Sequence, residues 1–318
     1  MIGTVPRLFY FVQMEKWLLL INPFAGGGKT EKKKQEVFKL LQKNKIAFES
    51  AESYSRREAI KIIHAKIGEC FRKFMALGGD GTLNSLVNGI FSQQAISPSE
   101  ITIALIPVGT GNDWIKMHHI PKSISQAIEI IARGKTFLHD VGNLKKKNSE
   151  EESQYFINVA GCGFQGFVAE RIEGATNWLK IGPAAFYFGL IEALSKYKTT
   201  TLQIEINDER IEGRIFNVSI GICKSAGGGM RLTPDAVADD GLFDITVAGD
   251  LAKREVIQNI PRLFNGKFVR HKKISQFRSK KISVTSIPRA PLETDGEVFG
   301  YGDFEAEILE KAIQVIVA

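Results

Sequence analysis

The chain has only three cysteines in 318 residues, Cys70, Cys162 and Cys223. Odd in number and widely spaced, they exclude a disulfide framework and read as reduced thiols of a cytoplasmic protein. Long apolar runs are missing too: Leu8 to Val12 is short and interrupted, with no small-residue cleavage pattern after it. Any membrane contact is therefore expected to be peripheral. There is no low-complexity tract, internal repeat or long compositional linker, and no basic stripe interleaved with aromatics, so nucleic acid is the weakest candidate partner. His118-His119 lacks the ligand spacing of a zinc site and reads as a pair of loop histidines. What remains is an ordinary globular composition with a net charge of +7, gathered partly at Lys32 to Lys34, Lys145 to Lys147, Arg270 to Lys273 and Arg278 to Lys281. Such clusters suit nucleotides or an anionic lipid surface.

The most informative segment runs from Met75 to Asn84, Met-Ala-Leu-Gly-Gly-Asp-Gly-Thr-Leu-Asn. Lys73 to Leu77 predicts a short buried strand, and Leu83, Leu86, Val87 and Ile90 recur at the spacing of an amphipathic helix. Gly78, Gly79 and Gly81 therefore lie at a strand-to-helix junction, where they are expected to take positive φ and to let an anion approach the main chain at the helix N-terminus. Asp80 would repel phosphate oxygens unless a cation stands between, and Mg²⁺ is the natural mediator. The plainer reading is a Gly-Asp-Gly turn with Thr82 as the helix N-cap.

Strands near Trp17 to Ile21, Ile46 to Ala51, Arg72 to Leu77 and Ile101 to Ile106 alternate with helices, which predicts a parallel sheet covered on both faces. Ligands of such sheets bind beyond the carboxyl ends of the strands. Three glycine-bearing loops fall there: Asn22 to Lys29, Gly78 to Thr82 and Pro107 to Asp113. Gly28-Lys29-Thr30 ends like a Walker A motif, but Pro23 stands where the opening glycine belongs. From about Asp140 the pattern changes to short alternating runs: Tyr155 to Ala160, Thr201 to Asn207, Arg214 to Ile222, Leu242 to Val247, Lys281 to Thr285, Phe304 to Leu309 and Ile313 to Val317. One helix is expected over Ala184 to Lys196. The predicted domains are an α/β nucleotide domain over 14–139, to which a segment of about 303–318 returns, and a β-sandwich over 140–302. Met14 is a candidate natural start, since Trp17 to Ile21 then opens the fold directly.

Leu77 to Asn84, Pro107 to Trp114, Asp239 to Asp244 and Asp295-Gly-Glu297 together resemble the diacylglycerol kinase catalytic family, in particular its small bacterial lipid kinases related to sphingosine and ceramide kinases. The resemblance runs from about Lys16 to the C-terminus. It implies a nucleotide domain of NAD kinase and phosphofructokinase type, a β-sandwich after it, and ATP and lipid meeting in the cleft between them. Carried over by motif, Asn22, Pro23, Ala25 and Gly26, the run Gly78, Gly79, Asp80, Gly81, Thr82, Leu83 and Asn84, and Thr110 look like ATP contacts. Ser53 matches a family threonine that touches nucleotide. Asp80 looks like the carboxylate acting on catalytic Mg²⁺, although in sphingosine kinase relatives the matching residue is assigned to the acceptor hydroxyl. Glu297 looks like the general base. Asp240, with the carbonyls of Leu242 and Val237, resembles a structural Mg²⁺ site, and Asp-Gly is equally a plain turn signal. Gln165 stands where relatives commonly carry an acid.

The resemblance therefore implies an ATP- and Mg²⁺-dependent kinase acting on the hydroxyl of a membrane lipid, foremost diacylglycerol, in peripheral contact with an anionic membrane. Phosphoryl transfer needs a positioned γ-phosphate, neutralised charge and a carboxylate near the attacking alcohol. The alternatives are an NAD kinase-like enzyme with a soluble acceptor and a catalytically silent lipid or nucleotide binder. Acyl-chain length is not encoded legibly, because each methylene is worth only about 1 kcal/mol. Oligomeric state is open, a homodimer being one option.

Overall fold

The computed structural model describes residues 15–109, 111–147, 149, 153–173 and 183–318. Thr110 and the segment around Met1 to Met14 lie outside them. The chain divides into two compact units, residues 1–139 with 311–318, and residues 140–310.

The first unit opens with β1 (Trp17–Ile21), every residue of which is buried. It continues through α1 (Ala25–Lys43), β2 (Phe48–Glu52), α2 (Arg56–Gly68), β3 (Lys73–Gly78), α3 (Asp80–Phe91), β4 (Thr102–Pro107), α4 (Trp114–Met117) and α5 (Ile124–Arg133). The order β2-β1-β3-β4 is wholly parallel, with Trp17 opposite both Phe48 and Lys73, and Lys73 opposite Thr102. Strands covered on both faces read as continuous apolar runs, which is why β1, β3 and β4 are legible without alternation. Helix α3 presents Leu83, Leu86, Val87 and Ile90 as one buried stripe. Helix α2 starts at Ser55, whose Oγ accepts the Glu58 N–H, while Glu58 Oε2 accepts the Tyr54 N–H.

The second unit contains β5 (Thr136–Lys146, from Asp140 onward), β6 (Gln154–Phe156), β7 (Val159–Gly163), α6 (Phe164–Glu173), α7 (Pro183–Lys196), β8 (Thr200–Ile206), β9 (Glu209–Ile215), β10 (Asn217–Gly221), β11 (Phe243–Ala248), α8 (Lys253–Leu263), β12 (Ile274–Ser279), β13 (Lys281–Ile287), β14 (Pro291–Thr294), β15 (Glu297–Tyr301) and the first part of β16 (Phe304–Ile316). One antiparallel sheet has the order β12-β11-β10-β7-β14-β15, and β16-β13-β8-β9 run together in another. Phe164, Leu190, Leu194, Tyr197 and Phe216 form a core cluster joining α6 and α7 to the strands. The fold class expected from the sequence, a parallel α/β unit followed by a β-sandwich, is the one observed.

Three boundaries differ from expectation. Tyr155 to Ala160 is not one strand: Asp295 Oδ2 accepts the N–H of Ile157 and Oδ1 those of Asn158 and Val159, so the ladder is interrupted there. Arg214 to Ile222 breaks at Phe216, whose N–H goes to Ala248 and whose carbonyl accepts from Phe164 and Tyr197. Phe304 to Leu309 and Ile313 to Val317 are a single strand, with Lys311 at φ 49° marking an irregularity inside it. The return to the first unit accordingly begins at Lys311 rather than near 303.

Candidate active site

In the first unit the three glycine loops leave the carboxyl ends of β1, β3 and β4 and interlock. Gly26, Gly27 and Gly28 all adopt the left-handed conformation, with φ of 62°, 70° and 81°. A Cβ on Gly26 would lie 2.5 Å from the Val108 carbonyl oxygen, and one on Gly109 only 2.6 Å from Gly79 Cα. The Gly78 carbonyl accepts the N–H groups of Val108 (2.7 Å) and Gly109 (3.0 Å). These contacts are main chain on main chain, which only glycine permits.

The role expected of Gly78, Gly79 and Gly81 is corrected on one point. Gly79 has φ −126°, Gly78 ends a strand and Gly81 lies inside α3. At Gly78 and Gly79 the use is closeness rather than positive φ: a Cβ on Gly78 would fall 2.2 Å from Thr82 Oγ1, and one on Gly79 3.0 Å from Gly109 Cα. Thr82 is correspondingly not the N-cap, which is Gly79. Asn22 Oδ1 accepts the Phe24 N–H at 3.0 Å and its carbonyl the Ala25 N–H, which folds the first loop; Pro23 is buried beneath it. Ser53, buried, follows β2 and donates its N–H to the Ile21 carbonyl, so it shares the same rim. Asn84 is fully buried and its carbonyl accepts from Asn88 Nδ2, and Leu83 is core.

Asp80 has a structural task the sequence did not suggest. Its carboxylate accepts the N–H of Asp113 at 3.0 Å and of Trp114 at 3.3 Å, tying the second loop to the third. Asp113, itself buried, pairs with Lys116. An oxygen of each acid lies near Gly111, at 3.4 Å (Asp80) and 3.7 Å (Asp113) from where a Cβ would stand. Two carboxylates side by side are the donor type Mg²⁺ takes, so the pair fits that ion by chemistry, with the Lys116 ammonium now holding the positive charge beside it. Asn112, at φ 48°, donates from Nδ2 to the Gly109 carbonyl, while its buried Oδ1 has no hydrogen-bond partner among the described residues. Such an orphan acceptor at a loop junction suits a ligand or water donor.

Beneath the third loop, His118 is a buried ring rather than a loop side chain, 4.5 Å from Trp114 and 5.0 Å from His139 between centroids. Burial, with His139 beside it, pushes its pKa down to about 2.

In the second unit Glu297 is exposed at the start of β15, after a turn in which Asp295 and Gly296 have φ of 52° and 87°. Asp295 anchors that turn through the three N–H groups named above, and its own N–H goes to Val159. Glu293, which pattern reading missed, is 1% exposed and accepts the Gly296 N–H at 2.6 Å. It also accepts from Gln165 Nε2, and Gln165 Oε1 takes the Ser219 hydroxyl at 2.9 Å. Burial pushes the Glu293 carboxyl up to about 8, with Asp295 and Glu297 adding to the rise against the Gly296 and Gln165 bonds. No sequence signal marked it, because all of β14 is buried on both faces and alternation is lost.

The Asp240 site fits a cation poorly. One carboxylate oxygen accepts the Leu242 N–H at 3.1 Å and the other is bound by Arg278, which also reaches Asp244 at 3.4 Å. A guanidinium thus holds the place a divalent ion would need, and Val237 is exposed.

Comparison with known proteins agrees with this fold. A model of the diacylglycerol kinase catalytic domain matches residues 16–144, and one of the YegS C-terminal NAD kinase beta sandwich-like domain matches residues 158–317. A diacylglycerol kinase from Staphylococcus carnosus is 29% identical over 286 residues, covering 89% of this chain and 88% of its own. One from Staphylococcus epidermidis is 31% identical over 226 residues, covering 71% and 68%. The crystal structure of a putative diacylglycerol kinase from Bacillus anthracis superposes with a TM-score of 0.76 at 23% identity, over 96% of this chain and 97% of the other.

Proposed function

Since the chain belongs to the diacylglycerol kinase family, we propose that it transfers the γ-phosphoryl group of ATP to a hydroxyl of a membrane lipid, converting diacylglycerol to phosphatidic acid. The supporting observation is the interlocked rim of three glycine loops at the carboxyl ends of β1, β3 and β4. Main chain packed this closely and stapled by Asp80 is a rigid surface of the kind that positions phosphates without reorganisation.

On this reading Asn22, Pro23, Ala25, Gly26, Ser53, Gly78 to Thr82 and Thr110 hold the nucleotide, and Leu83 and Asn84, fully buried, support the start of α3 from behind. Asp80 and Asp113 would hold Mg²⁺, which when bound would neutralise phosphate charge. Glu297 accepts the proton of the attacking hydroxyl while that oxygen bonds to the γ-phosphorus and the bond to the ADP oxygen breaks. Its exposure lets the proton pass on to water. No step is assigned to Val237, Asp240 and Leu242, where Arg278 already supplies the positive charge. The enzyme works from the cytoplasmic side, in peripheral contact with the bilayer. Among the described residues no helix is long and apolar enough to cross one.

The test is transfer of labelled phosphate from ATP to diacylglycerol in the presence of Mg²⁺, with Glu297→Gln as the variant. The variant is expected to bind ATP and melt like the parent and to lose at least about 100-fold in turnover, the scale of general base catalysis. Label appearing on NAD in the absence of lipid, or no labelled lipid at all, would overturn the proposal.

A further inference from the structure

We propose that α8 and the turn following it are the surface by which this chain docks on an anionic bilayer. From Lys253 to Lys273 there are seven lysines and arginines and a single acid, Glu255. That surplus of six is nearly the whole net charge of +7, so the remainder of the chain is close to neutral. The one acid is already engaged: Glu255 takes the Lys273 ammonium at 2.8 Å and the Ala252 N–H at 2.7 Å, and Lys273 first of all holds its carboxyl below the usual range.

The orientation of α8 follows from its packing. Val256 and Ile260 lie against the core cluster of Phe164, Leu190 and Tyr197. The row Arg254, Gln258 and Arg262, at helical spacing, faces solvent. Beside it Ile257 is 49% exposed, one turn after Lys253, whose ammonium is bonded to the Ser195 carbonyl of α7. Ile191, one turn before Ser195, is 46% exposed. Two aliphatic side chains thus bracket the α7–α8 contact, Ile257 among the cations of α8 and Ile191 beside Glu192, an acid already paired with Lys196 and Arg171.

That combination matches the chemistry of a bilayer surface. Lysine and arginine reach anionic headgroups, each contributing attraction that falls off within a Debye length, while aliphatic side chains enter the acyl boundary. A nucleic acid would use the charges but leave Ile257 and Ile191 with nothing to bury them. A second copy of the chain docking two-fold through this same face would meet the same positive surface and be repelled. The position of the surface rests on the lipid kinase reading in one respect: α8 packs on α7, α7 on α6, and α6 on the strand that bears Glu297, all within one unit. Docking at α8 would hold that unit against the membrane that carries its acceptor.

The test separates docking from turnover. Co-sedimentation of the full chain with phosphatidylcholine vesicles, with and without phosphatidylglycerol, is compared for the parent, Arg254→Ala/Arg262→Ala, Ile257→Ser and the control Lys280→Ala/Lys281→Ala. The arginine double variant is expected to bind anionic vesicles about 25-fold more weakly, about fivefold for each cation removed. Ile257→Ser is also expected to bind more weakly, and the control to match the parent. Phosphorylation of a dispersed short-chain diacylglycerol should stay unchanged in every variant, which keeps a failure of the kinase reading distinct from a failure of docking. Vesicle binding within twofold of the parent in the arginine variant, equal binding to vesicles lacking phosphatidylglycerol, or a loss confined to nucleic acid binding or self-association would overturn the proposal.

Discussion

Glu293 and Asp295 stand two residues apart on one buried turn and are satisfied differently. Asp295 receives three backbone N–H groups, whereas Glu293 receives one backbone N–H and one amide and is pushed up to about 8 by burial. The charged or titratable groups on the elements around it are Asp295, Glu297 and Tyr301 on its own hairpin, Cys162 on β7, and Glu170 and Arg171 on α6. An acid whose folded pKa is raised binds a proton that the unfolded chain has released. Its contribution is therefore complete below the unfolded value near 4.5 and is lost as pH rises to about 8. Glu293→Gln removes that proton. The Gln165 amide can turn over to accept from the new Nε2, and the Gly296 bond is kept. The parent is expected to lose melting temperature between pH 5 and 8 and the variant to lose distinctly less, as read by thermal unfolding across that range. Parallel slopes for the two proteins would contradict the assignment.

At the scale of elements, the loops show that glycine serves two separate needs here. Gly28 has φ 81° but nothing within 4 Å of a Cβ, whereas Gly109 would place a Cβ 2.6 Å from Gly79 Cα and 2.7 Å from Asn112 Oδ1. Gly28→Ala should cost only the left-handed penalty, about 1 kcal/mol. Gly109→Ala must push two main-chain segments apart, a strain of about 1–3 kcal/mol. It is expected to weaken binding of a non-hydrolysable ATP analogue by at least about tenfold, measured by calorimetry, with Gly28→Ala affecting affinity far less. Equal losses in the two variants would mean that conformation rather than proximity matters. This is also where sequence reading reached its limit. The loops were legible because glycines punctuate apolar runs, and the helix after Gly81 because Leu83, Leu86, Val87 and Ile90 share one period. Which glycines need space and which need positive φ depends on what lies opposite, and Val108 and Gly109 are supplied by another strand. The same holds for the break at Ile157 and Asn158, made by a carboxylate more than a hundred residues away. Strands β5, β9, β12, β14 and β15 and helices α6 and α8 are not legible in the sequence, their runs being irregular in alternation, interrupted by glycine or dominated by charge.

For the molecule as a whole, the chain crosses from the first unit to the second and back, and the last eight residues complete the first unit's sheet. Gln314 and Val315 lie parallel to Thr102 and Ile103, the Gln314 N–H goes to the Ile101 carbonyl, and the Val317 N–H to that of Lys135. Ile313, Val315 and Ile316 are buried there. Three such side chains are worth about 1.5–3 kcal/mol each. A domain's entire stability is only about 5–15 kcal/mol. Removing residues 311–318 also strips β4 of a partner and exposes its edge. Such a truncation is therefore expected to leave the first unit unfolded or molten, although every glycine loop and Asp80 remain in the sequence. Hydrogen exchange provides the measurement: amides of β1, β3 and β4 should lose protection and ATP binding should vanish, while β10 and β11, with no residue of the deleted segment in their sheet, should stay protected. Full protection of β1, β3 and β4 in the truncated chain would show that the first 139 residues fold without the returning strand.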